Sequence, residues 1–334
     1  METLQHPTAQ QTTAQAPQIP TAPPAPAIDP DIEVTLSARI TNLLGVTVPL
    51  AALAVAIALL WGWAFQWQYL VIMAGMYLIS GFGITIGYHR LFTHKSFRTS
   101  RPVSAALAIM GAMAAEGSLM QWVSAHRLHH QHSDQHGDPH SPHLHGSSLL
   151  GALNGMWHAH IGWALKKRID ENTGRNTRDL RKDPVLRFVD RFFPLWVGLG
   201  LLIPAVLGGL MTMSWIGVLL GFLWGGLVRV FLVHHVTWSV NSVCHIWGAR
   251  PYDSKDHSRN NVIFGILALG EGWHNNHHRW PQSVRQGFRW YEIDITWYGL
   301  WLMSKLGIIW ELNPIPKHIQ EETRELDKMR RSRQ

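Results

Sequence analysis

The 334-residue chain carries 29 Lys and Arg against 22 Asp and Glu, a formal net charge of +7, 17 tryptophans and one cysteine. A lone cysteine excludes an intramolecular disulfide and a thiolate metal centre. The basic residues lack the aromatic-interleaved pattern that would point to nucleic acid, and the apolar residues are bunched into long runs, which points to a membrane.

Residues 1–38 are rich in Gln, Thr, Ala and Pro and lack the apolar core of a secretion signal, so a disordered tail is expected there. From Thr41 to Phe65, and again from Gln66 to Tyr88, no residue is charged. Phe192–Trp215 is a third such stretch, and Ser214–Val236 a fourth, broken only by Arg229. Each has about the 20 residues that a bilayer-spanning helix requires. Tryptophans near the run ends (Trp61, Trp63, Trp67, Trp215, Trp238) suit the two interfacial belts. Spans are therefore predicted at 42–64, 68–88, 193–212 and 215–236, as two helical hairpins. Of the 29 basic residues, 14 fall between Arg90 and Arg191 and 13 from Arg250 onward, while the links 66–68 and 212–214 carry none. By the positive-inside rule, segments 89–191 and 237–315 form a cap on the cytoplasmic side of the cell membrane, with both termini on that side.

Within the cap, Val103–Met120 is moderately apolar but contains Glu116; a helix at the interface or under the cap fits better than a span. His132–His145 is a histidine-rich loop with Asp138-Pro139 and Ser141-Pro142 as breakers. It reads as a polar loop, with Asp134 and Asp138 as candidate partners of ligating rings. The fourth span is expected to run on to about Trp247, because His234, Trp238, Asn241 and His245 follow i, i+4, i+7, i+11, one stripe of a helix. That stripe would line the passage of an apolar substrate. Arg229 and His234 are costly in an apolar helix; for Arg229, function, snorkelling and pairing with a neighbour are all open. Ile295–Trp310 holds Lys305 and is short, which predicts an interfacial amphipathic helix. Residues 316–334 are expected to be a charged tail, a solvated helix or disordered. The domain proper is then 39–315.

The strongest signal is a set of nine histidines. They read His89-Arg-Leu-Phe-Thr-His94, His126-Arg-Leu-His129-His130 and His274-Asn-Asn-His277-His278, with His245 four residues after Asn241. Positions i, i+3 and i+4 share one helix face, so each HxxHH trio is expected to converge on a point. His89 and His94 are five apart, roughly 140° around an α-helix, so the helix should end or distort between them. Imidazole suits iron, copper, nickel and zinc. Nine nitrogens are too many for one ion and suffice for two. The predicted class is an all-α integral membrane protein with four transmembrane helices and a cytosolic helical cap carrying a histidine-rich dimetal site.

An open zinc site takes about three protein ligands and a water, fewer than are present here. Redox-active iron with O2, attacking an unactivated C–H bond of a lipid chain, fits better, and a site above a membrane-embedded tunnel would be shielded from water. A metal transporter or storage protein would want ligands within the spans, whereas only His89 lies at a span end.

The ordered motifs HRLFTH, HRLHH, NSVCH and HNNHH resemble the membrane fatty-acid desaturases. Within them, the chain is most similar to the Δ9, stearoyl-CoA desaturase-like branch, bacterial members included. The resemblance covers about residues 40–290, and Gly-Asp-Pro-His140, His160-Ile-Gly-Trp163, Thr237-Trp238-Ser-Val-Asn241-Ser and Gly272-Trp-His274 support it. It implies two iron ions held by His89, His94, His126, His129, His130, His245, His274, His277 and His278, with Asn241 acting through a water. It also implies O2 as co-substrate and a cis double bond, at Δ9, in a saturated acyl-CoA. A fatty-acyl or alkane hydroxylase is the alternative within the same superfamily. Trp122, Thr237 and Trp238 match tunnel positions, beside His234 from the stripe, and Lys167 and Arg168 match a head-group contact. An Arg-Asp pair that holds CoA in animal members is replaced by Ser124 and Ala125, which leaves acyl-lipid and acyl-carrier substrates open. With no haem-binding domain and a single cysteine, electrons are expected from a separate ferredoxin or cytochrome b5-like carrier with an NAD(P)H reductase.

Overall fold

The computed structural model describes residues 36–60, 66–166 and 174–332. Four helices are long and apolar enough to cross a bilayer. Helix α1 is Leu36–Leu60, so it takes in the last three residues assigned to the tail; the predicted end of this span at 64 lies outside the described residues. Helix α2 runs Trp67–Thr93. Helix α3, Arg101–Ala112, is only about 18 Å long at 1.5 Å per residue, too short to span, and its inner face packs half-buried against α2. Helix α4 (Leu119–His132) starts at a capping box in which Ser118 N donates to Gln121 Oε1. Then come α5 (Leu149–Trp157), α6 (Pro184–Arg191), α7 (Phe193–Thr212) and α8, a continuous run from Trp215 to His245.

Burial separates the spans into two kinds. Only 17% of the apolar window of α1 and 22% of that of α7 is buried, against 61% for α8. Leu43, Leu50, Val55, Leu202, Val206 and Leu210 stand exposed; in water each would forgo roughly 1.5–3 kcal/mol of burial, so these faces require lipid. The α7–α8 hairpin is held by backbone contact. A Cβ on Gly208 would come 2.2 Å from Gly217 O, and one on Gly221 would come 2.2 Å from Pro204 O. Small residues let the two helices touch where lipid supplies no hydrophobic drive.

The last 11 residues of α2, Gly83–Thr93, form a π-helix. Its opening is sterically matched: Gly83 lies so close to α3 that a Cβ would meet Gly111 N at 2.1 Å. The expected distortion between His89 and His94 is this π-turn, in which His94 N donates to His89 O at 3.1 Å. The wider turn returns residues five apart to one face, and the two rings lie 4.7 Å apart.

The rest of the cap is short elements: α9 (Val262–Leu267), α10 (His274–Arg279), α11 (Ile295–Lys305) and α12 (Lys317–Arg331), with β1 (Arg98–Thr99) antiparallel to β2 (Ile309–Trp310). Helices α5, α9 and α11 expose Leu150, Leu153, Val262, Ile263, Trp301 and Leu302, apolar faces suited to the membrane interface. The predicted helix 295–310 stops at Lys305, because Gly307 (φ +71) turns the chain and Ile309–Trp310 pair with β1. For 316–334 the helical alternative holds, but the helix is docked and not a free tail. Helix α12 docks on the cap with Ile319 fully buried, Arg279–Glu322 and Arg289–Asp327 ion pairs at 2.8 Å, and a Tyr252–Thr323 hydroxyl contact of 2.6 Å.

Candidate metal centre and acyl cavity

The ends of α2, α4 and α8 and the short helix α10 meet where the nine histidines were predicted to lie. His89, His94, His126, His130 and His277 form one group, and His129, His245, His274 and His278 a second; within each, ligand nitrogens all lie within 4.8 Å of one another. The expectation that each HxxHH trio converges on one point is corrected. On α4, His126 and His130 serve the first group and His129 the second; on α10, His277 serves the first and His274 and His278 the second. The reason is angular. Residues i and i+4 differ by about 40° around a helix, whereas i+3 and i+4 differ by about 100°, so one face addresses two adjacent centres.

Nε2 atoms lie 3.1 Å apart for His89 and His277, 3.1 Å for His126 and His130, 2.9 Å for His130 and His277 and 3.0 Å for His245 and His274. Nitrogens at right angles on a sphere of about 2.1 Å, the usual metal–imidazole distance, would be about 3.0 Å apart. His94, His129 and His278 each have a buried Nε2 with no hydrogen-bond partner, which is costly unless a ligand takes it. Burial, then the neighbouring rings, depress His126, His130, His274 and His277 well below the usual histidine range, leaving neutral rings with free lone pairs. The donor set fits two ions.

Behind the rings stand carboxylates. His129 Nδ1 meets Asp138 at 3.0 Å, His245 Nδ1 meets Asp134 at 2.7 Å, His278 Nδ1 meets Asp256 at 2.5 Å, and His89 Nδ1 meets Glu271. Burial pushes these carboxyls up, but the facing histidines more than offset it and hold Asp134, Asp138 and Asp256 well below the usual carboxylate range. Such partners fix the tautomer so that Nε2 faces the ion. Asp134 and Asp138 were foreseen. Asp256 and Glu271 were not, nor was Gln286, whose Nε2 lies 3.4 Å from both His89 Nδ1 and His277 Nδ1. Only proximity in space links these three to the boxes. From the histidine-rich loop, His140 packs 4.4 Å from the His129 ring, and His143 Nε2 donates to His245 O at 2.9 Å.

A cavity of about 650 Å³ leads from this centre down between the helices, reaching His89, His126 and His274. Its wall includes Trp122, His234, Thr237, Trp238 and Asn241. Asn241 sits one turn before His245, on α8. His234 Nε2 donates to Ala114 O at 2.9 Å, so it closes the end of α3. Arg229 is fully buried and does not snorkel; it pairs with neighbours, its guanidinium donating to the carbonyls of Gly225, Met113 and Gly200. Cys244 is buried and free. Lys167 and Arg168 lie outside the described residues.

A sequence model of the fatty acid desaturase family matches residues 61–305. Among curated relatives, a hex-5-enoyl-[acyl-carrier protein] acetylenase of Moorena producens (strain JHB) is 42% identical over 276 residues, covering 82% of this chain and 86% of the relative. An acyl-CoA C20 Delta5-desaturase of Anemone leveillei is 38% identical, covering 77% of each chain. An sn-1 stearoyl-lipid 9-desaturase of Anabaena variabilis is 38% identical, covering 73% of this chain and 84% of that one. The chain belongs to the fatty acid desaturase family: it is an integral membrane oxidoreductase that desaturates fatty acyl chains.

Proposed function

We propose that the protein introduces a cis double bond at Δ9 of a saturated acyl chain carried on coenzyme A, using O2 at two iron ions held by the nine histidines, with Asn241 contributing through a water. The observation that carries this reading is the junction of the cavity with both histidine groups, through His89 and His126 on one side and His274 on the other. Iron there supplies the oxidising chemistry: two hydrogens leave adjacent carbons, and with O2, two electrons and two protons the products are an alkene and two waters.

The chain's own part is placement. Trp122 stacks on His126 at 5.0 Å, and Trp238 lies against the His234 ring at 4.8 Å, so indoles on α4 and α8 flank the path below the histidines. A walled, apolar cavity holds one pair of carbons near the centre and keeps water away. A head-group role for Lys167 and Arg168 rests on the family resemblance alone. The cap faces the cytoplasm, in line with the basic residues flanking the spans, and a separate ferredoxin or cytochrome b5-like carrier with an NAD(P)H reductase delivers electrons there.

Expression in a host without its own desaturase, with mass spectrometry of double-bond position, tests the assignment. Δ9 cis monoenes that vanish with His277→Ala are expected. Hydroxylated chains, or an alkene at another position, would overturn it.

A further inference from the structure

Two carboxyls line the cavity, and they differ in what holds them. Glu271 is tied to His89, Arg90 and Gln286. Glu116, in the turn between α3 and α4, has no cation partner among the described residues. Its Oε2 accepts from Trp122 Nε1 at 3.0 Å, Thr237 stands beside it in the cavity wall, and its Oε1 is buried without a hydrogen-bond partner. Ala115 (φ +61) and Gly117 (φ +115) make the turn that carries Glu116 in the cavity wall.

Among the described residues, its surroundings offer no compensating charge. Arg229 on α8 is spent on three carbonyls and His234 on Ala114 O. From α2, Tyr77 and Tyr88 face it; from α6, Asp190 is occupied by Met120 N. On α4, Gln121 Oε1 takes Ser118 N. Phe193 and Val197 of α7 and Leu267–Leu269 complete an apolar wall.

We propose that Glu116 is a proton-coupled positioning residue, and that the acyl chain seats fully only when this carboxyl is neutral. Methylene groups entering the cavity remove the water that an ionised carboxylate needs. A neutral acid still accepts from Trp122 and so keeps that wall residue in place. Burial, partly offset by the neighbouring Thr237 and Trp122 side chains, already pushes Glu116 up to about 7. The acid thus titrates where a cell works, and seating a chain above that pH takes up a proton from solvent.

The inference rests on the acyl-CoA reading of the cavity, and its test separates the two. Binding of stearoyl-CoA to the full-length protein in lipid nanodiscs is measured between pH 6 and 9, for the wild type and for Glu116→Gln, which cannot ionise. Wild-type affinity should be flat below about pH 7 and fall about tenfold per pH unit above it; the variant should lose that slope. Equal slopes in the two proteins would overturn the inference. The wild type alone provides a second readout, close to one proton taken up per stearoyl-CoA bound at pH 8. No uptake at that pH refutes the proposal even if the variant fails to fold. Failure of stearoyl-CoA to bind at any pH would instead sink the acyl-CoA reading, and the inference with it.

Discussion

The two histidine groups are built differently. In the second, three of four rings (His129, His245 and His278) lean on aspartates that also take backbone amides: Asp134 from His257 N, Asp138 from Asp134 N and His140 N, and Asp256 from Ser258 N. In the first, His89 alone has a carboxylate among the described residues, Glu271, and the amide of Gln286 serves both His89 and His277. The second group is preset by charge and backbone. The first depends on helix ends, a π-turn and one amide, so it has fewer fixed rings.

The largest effect should come from removing one ring from either group. His130→Ala and His274→Ala should each leave one metal ion per chain instead of two and lower product formation at least about a hundredfold. Elemental analysis beside fatty-acid profiling checks this; two retained ions in either variant would merge the groups into one site. A smaller effect tests the aspartates. Asp256→Asn or Asp134→Asn should weaken metal retention in the second group by about 10–100-fold, read as occupancy after graded chelation, with the first group unchanged. Smallest of all, Gln286→Ala should loosen the first group only a few-fold, since a neutral amide at 3.4 Å orients a ring weakly. If Gln286→Ala cost more than Asp256→Asn, the ranking of the two groups would be reversed.

Much of this was legible from residue order. The runs between Thr41 and Val236 predicted four spans within a few residues, the stripe through Trp238 predicted the continuation of α8 to His245, and the box spacings named the nine histidines that meet. The misses have physical causes. Each HxxHH trio splits between groups because helical spacing says which residues share a face and not how many centres that face meets. Residues 316–331 read as a tail because a docked amphipathic helix with one buried isoleucine is compositionally like a solvated one. Glu116 counted only against a span, since nothing local marks a carboxyl that will face an apolar cavity.

Local pattern was therefore sufficient for the spans, the helical character and the identity of the imidazoles, because hydrophobic length and helical periodicity act within one segment. Tertiary structure alone decided the division into two groups, the recruitment of Asp256, Glu271 and Gln286, and the isolation of Glu116. Those depend on which segments share a small volume without water, where solvation is lost and each polar atom must find a partner from elsewhere in the chain.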